Sequence, residues 1–115
     1  MRKNALSKRE KVLKSFEYRK IVKGGKRKST EHFNVFVWPN SENKRRLGIT
    51  ASRRVGSAVK RNRIKRLVRE FFRLNKSSLP PSSDLLFIAR PGADRLDYAQ
   101  LREELKKTFC GYWHY

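Results

Sequence analysis

The sequence predicts an α+β fold: a single-domain α/β sandwich with helices packed on one small, mostly antiparallel sheet, in the order α-β-β-(β)-α-β-α. Three observations predict it. Ile64, Leu67, Val68, Phe71 and Leu74 recur at the i, i+3, i+4, i+7 spacing of one buried helical stripe. The segments 32–38 and 46–51 carry no such period and alternate as strands do. Residues 84–89 form a short continuous apolar run, as expected of a strand covered on both faces. At 115 residues there is room for one core, so residues 1–115 make one domain.

The elements follow in order. Residues 1–10 are polar and basic and are expected to be a mobile N-terminus. Val12, Leu13, Phe16, Ile21 and Val22 predict a short helix over 12–23, closed by Gly24-Gly25. The segment His32–Trp38 reads as a strand with Phe33, Val35 and Val37 on one face and Asn34, Phe36 and Trp38 on the other. Residues 39–43 form a turn, and Arg46–Ala51 is the returning strand with Leu47, Ile49 and Ala51 inward. Ser57 caps a helix over 58–74, in which Phe72 falls awkwardly among basic residues. Pro80-Pro81 lies in the loop out of that helix, 77–83, and Pro91-Gly92 ends the apolar strand. Asp97 with Gln100 three residues later opens a last helix on Tyr98, Leu101, Leu105 and Phe109, and residues 111–115 are a tail.

Charge restricts the partners. Thirty Lys and Arg against ten Asp and Glu leave a formal charge of +20. Such a chain repels itself when compact, so a polyanion is its natural partner. Residues 1–28 hold twelve of the cations and residues 44–73 another twelve, the latter against Glu70 alone. No apolar run approaches the roughly 18 residues needed to span a bilayer, and no apolar signal core follows the basic start. A cytoplasmic protein is expected. The single Cys110 permits no internal disulfide.

On the helix over 58–74, at about 100° per residue, Arg61, Lys65, Arg66, Arg69 and Arg73 are expected opposite the apolar stripe, with Asn62 among them and Arg63 at the margin. Each exposed cation can neutralise a phosphate and release a counterion. Arginine can also fork onto a phosphate or stack on a base. A solvated helix normally offsets its cations with acids four residues away, and acids are almost absent here.

The run from Ala51 to Glu70, ASRRVGSAVKRNRIKRLVRE, resembles the signature of the bacterial ribonuclease P protein family. The likeness rests on Arg61-Asn62-Arg63 after the Val-Gly-Ser-Ala-Val run, followed by Lys65 and Arg66. Arg46–Thr50 and Phe87–Pro91 match as well, and the resemblance covers roughly residues 10–110. It implies the fold of the second domain of ribosomal protein S5. It also implies a protein subunit that is not itself the catalyst. The partner would be a catalytic RNA that holds Mg²⁺ and removes the 5′ leader of precursor tRNA, with no cofactor bound by the protein. By position, Arg61, Asn62, Arg63, Lys65, Arg66 and Arg69 would meet that RNA, with Ser52, Arg53 and Arg54 close by. An aromatic cleft on the sheet would receive the leader through Tyr18, Phe33 and Phe36. Val22 stands where the family commonly has a second aromatic, four residues after Tyr18, so either one stacking contact is lost or Phe16 supplies it from another angle. Stacking suits leaders of variable sequence, at about 1–3 kcal/mol per base. Phe33 and Phe36 lie on opposite faces of their strand, so at least one is core if a single sheet face is covered, and Phe36 with Asn34 is favoured for the cleft.

A protein nuclease would gather carboxylates or histidines. The acids here are scattered, Glu103-Glu104 reads as ordinary surface charge, Asp84 as a turn cap, and His32 and His114 have no acidic partner in a motif. Other readings of the composition are a ribosomal or other structural RNA-binding protein, a DNA-binding module with the basic helix in the major groove, and an anionic-membrane binder.

Overall fold

The computed structural model describes residues 15–40 and 44–109. The expected mobile start, the tail, the helix before Ser15 and most of the 39–43 turn lie outside the described residues. Helix α1 spans Ser15–Gly24, followed by strands β1 (Lys26–Ser29), β2 (Phe33–Pro39) and β3 (Arg46–Thr50). Helix α2 spans Ala58–Leu74, strand β4 Ser83–Ala89 and helix α3 Tyr98–Phe109. Short 3₁₀ turns occupy Lys76–Ser78 and Ala93–Arg95.

The four strands form one sheet in the order β1-β2-β4-β3. β2 is antiparallel to both β1 and β4, whereas β3 is parallel to β4. The expected return of β3 onto β2 is therefore corrected: β4 lies between them. β4 is apolar on both faces and gains most from a central place, while β3 carries Arg46 and Thr50 and tolerates the edge. The parallel pairing requires a crossover, and α2 is that crossover.

One sheet face carries the main core. Phe33, Val35, Val37, Leu47, Leu85 and Phe87 meet Ile64, Val68, Phe71 and Phe72 of α2 and Leu101, Leu105 and Phe109 of α3. Phe33 and Phe87 meet edge to face with centroids 6.5 Å apart. On the other face α1 lays Ile21 on Phe36 and Leu86, with Tyr18, Trp38 and Ile88 half-buried around them. The backbone closes tightly at the end of α1. A Cβ on Gly24 would come within 2.7 Å of the Trp38 ring, and one on Gly25 within 2.7 Å of the Ile21 carbonyl.

Two expectations for α2 change. Phe72, 0 % exposed, belongs to the core, and Leu74, 54 % exposed, does not. The stripe thus runs Ile64, Val68, Phe71, Phe72, tilted toward the side of Arg61 and Lys65. Asp84 is no turn cap. Its buried carboxylate takes both Nε and Nη2 of Arg46 at 2.8 Å and Nδ2 of Asn40 at 2.8 Å. A buried carboxylate needs such partners, and this one fixes the start of β4 against β3.

Candidate nucleic-acid interface

The turn 52–56 and helix α2 build the basic surface together. Val55, buried in the core, anchors the turn, and Val55 N–H and Gly56 N–H donate to the carbonyls of Ser52 (3.0 Å) and Arg53 (3.2 Å). Ser52, Arg53 and Arg54 are thereby held exposed beside the start of α2. Ser57 caps the helix by accepting from the Lys60 N–H at 3.4 Å, and its first turn holds no acid. Its N-terminal dipole therefore adds to the cationic field.

The predicted RNA-facing residues do not share one environment. Asn62, Arg66 and Arg69 are exposed and line an open groove of about 470 Å³ with Val59, itself 76 % exposed. No described carboxylate pairs with any of the three. Arg61 and Lys65 are half-buried rather than opposite the stripe, because the burial of Phe72 draws the core toward them. The Nε of Arg61 is buried without a hydrogen-bond partner among the described residues. Arg73 is paired with Glu70, an i,i+3 bridge that the scarcity of acids had argued against. Arg63 reaches away from the groove, donating from Nε to the Asp94 carbonyl (3.1 Å) and from Nη2 to the Leu96 carbonyl (3.0 Å).

The aromatic cleft is partly corrected. Phe33 is 0 % exposed on the helix-covered face and cannot stack on a base. Phe36 does lie on the opposite face, yet it is 5 % exposed beneath α1 and serves as a floor. Tyr18 and Ile88 are half-buried above and beside it, and so is Asn34, which accepts from Ser29 Oγ at 2.7 Å. Phe16 falls within α1, with its side chain outside the described residues. Lys20 Nζ stands 5.2 Å from the Trp38 ring centroid, so that ring already has a cation on its face.

One polar cluster was not legible. His32, Thr30 and Glu104 are 72 and 74 positions apart in sequence and meet where β2 begins beside α3. Since a carboxylate only accepts, His32 Nδ1–H donates to Glu104 Oε1 (2.7 Å), while Thr30 Oγ and the His32 backbone N–H (2.8 Å) donate to Oε2. Burial pushes the Glu104 carboxyl up, but these donors and the charge of His32 outweigh it and hold it below the usual glutamate range. Both expectations, His32 without an acidic partner and Glu104 as ordinary surface charge, are corrected. Among the described residues no three His, Cys, Asp or Glu side chains gather as a metal site, and no helix is long and apolar enough to cross a membrane.

Comparison with known proteins gives the family. The ribonuclease P family profile matches residues 6–112. The chain is 45 % identical over 105 residues to the ribonuclease P protein component of Syntrophus aciditrophicus, covering 91 % of this chain and 88 % of that protein. It is 40 % identical to that of Desulforapulum autotrophicum, covering 89 % and 87 %. Among solved structures, the RNase P protein from Thermotoga maritima superposes with a TM-score of 0.82 at 34 % identity, over 92 % of this chain and all of that one. The Staphylococcus aureus RNase P protein gives 0.77 at 33 % identity, covering 85 % and 90 %. The profile match covers nearly the whole length, the relatives share this level of identity, and nothing in the comparisons supports the ribosomal or other structural RNA-binding reading: the chain belongs to the ribonuclease P protein family, as a protein subunit of that enzyme.

Proposed function

We propose that the chain docks on the catalytic RNA of ribonuclease P through α2 and the turn before it, and guides the 5′ leader of precursor tRNA along the face where α1 crosses the sheet. The observation that carries this reading is the groove of Asn62, Arg66 and Arg69, a cationic surface that no described carboxylate neutralises. Arg61 and Lys65 flank it on the core side, and Ser52, Arg53 and Arg54 extend it past the helix start. A phosphate backbone completes what the chain leaves open. Tyr18 and Trp38 are both half-buried on the leader face around the Phe36 floor, and with Lys20 already on the Trp38 ring, Tyr18 is the aromatic left to stack on the leader. In this reading the chain works in the cytoplasm and contributes binding and orientation, worth large factors in rate when they align a reacting phosphate. The cutting and its Mg²⁺ belong to the RNA. Mixed with a bacterial ribonuclease P RNA at moderate Mg²⁺, the chain is expected to increase 5′-leader cleavage of precursor tRNA. The same rate with and without it would reject the proposal.

A further inference from the structure

Within the Arg61-Asn62-Arg63 element, Arg63 differs from its neighbours in what it touches. At about 100° per residue it is turned roughly 60–120° from Arg66, Asn62 and Arg69, and it does not line their groove. Its guanidinium grips the carbonyls of Asp94 and Leu96 at 3.1 and 3.0 Å, and Lys60 Nζ stands 4.0 Å from the Asp94 carboxylate on the same turn. That turn is held from every side. Gly92 enters it with φ of 98°, Ala93 is buried, and Leu96 packs into the core. The Ala93 N–H donates to the Arg90 carbonyl at 3.1 Å. Arg90 in turn donates from its backbone to the His32 carbonyl (2.8 Å) and from Nη1 to the Thr30 carbonyl (2.9 Å). Just beyond it, Asp97 and Gln100 cap α3 reciprocally, at 3.0 and 2.8 Å. The two carbonyls are thus fixed acceptors, and the Nε and Nη2 donors of one planar guanidinium take one each in a pre-set geometry that a flexible ammonium lacks.

We infer that Arg63 is a positioning residue, a strut that sets α2 against the 92–96 turn and so aims Asn62, Arg66 and Arg69 at the RNA. This rests on the docking reading above and refines it: Arg63 affects RNA affinity through geometry, not by neutralising a phosphate. Lysine keeps the charge and loses the fork, which separates the two roles.

The test compares Arg63→Ala, Arg63→Lys and Arg66→Ala in the full chain, by RNA affinity across a salt series and by amide hydrogen exchange without RNA. Arg63→Ala and Arg63→Lys are expected to lose similar affinity, roughly 2- to 30-fold. Their plots of log affinity against log salt stay parallel to the wild type, and exchange quickens at 94–97 in both. Arg66→Ala flattens the slope by about one counterion and leaves 94–97 unchanged. A flattened slope in Arg63→Ala with affinity restored by Arg63→Lys would overturn the strut and make Arg63 an ordinary phosphate ligand. Unquickened exchange at 94–97 in both Arg63 variants would overturn it as well. An unchanged slope in Arg66→Ala would instead fault the docking reading, and the exchange result would still decide whether Arg63 holds the turn.

Discussion

Phe33 and Phe36 stand three positions apart on one strand, and the pleat sends them to opposite faces of the sheet. The alternation was legible in sequence; which face carries the larger core was not, since it depends on where α2 and α3 land. Phe33 meets Phe87 inside that core, and truncating it removes a ring with no room for collapse. Phe33→Ala is expected to cost about 3–5 kcal/mol of stability, read by urea denaturation, with no selective effect on leader-bearing substrate. Tyr18→Ala is expected to do the reverse. It should keep near-normal stability while weakening binding of leader-bearing precursor by about 1–3 kcal/mol and sparing mature tRNA. Equal losses for both RNAs would move the leader path elsewhere. Phe72 shows why a residue is hard to place from a helical wheel alone. Its neighbours Arg69 and Arg73 are polar, yet it is 0 % exposed and belongs to the main core.

At the scale of elements, helices α2 and α3 and strands β2 and β4 were legible because each has a strong period or cap of its own. The Asp97–Gln100 box formed as its spacing predicts. What sequence left open lies between elements. β1, with the sequence KRKS, has no apolar alternation and becomes a strand only by pairing with β2. The order β1-β2-β4-β3 likewise follows from long-range burial of β4. The contacts His32–Glu104 and Arg46–Asp84 join residues 72 and 38 positions apart, a distance at which no local motif operates. Glu104 ties α3 to the start of β2, and its lowered pKa gives a sign to that tie. The folded state prefers the ionised carboxylate. Its stabilisation is therefore complete above the ordinary glutamate range, around pH 4.3, and is lost as pH falls through the lower folded value. Thermal unfolding between pH 5 and pH 3 should accordingly show a smaller fall in Tm for Glu104→Gln than for the wild type. A parallel fall in the two proteins would mean that the carboxylate contributes nothing through its charge.

Across the whole molecule, charge and fold are divided between regions. Residues 74–115 carry six cations and five acids and contribute β4 and α3 to the core, while the cations concentrate in residues 1–28 and 44–73. The sheet gives α2 a rigid bed, the 92–96 turn sets its angle through Arg63, and the groove of Asn62, Arg66 and Arg69 is left facing outward. The family motif points to helix α2, but the separate environments of Arg61, Asn62 and Arg63 needed the packing of Phe72 and of the 92–96 turn. In the docking reading, the open cations of α2 are completed by an RNA backbone. The salt dependence of affinity for a bacterial ribonuclease P RNA tests it most directly, comparing the wild type with the Arg66→Ala, Arg69→Ala double variant. The slope of log affinity against log salt is expected to fall by about two counterions; two parallel lines would overturn the RNA-docking reading.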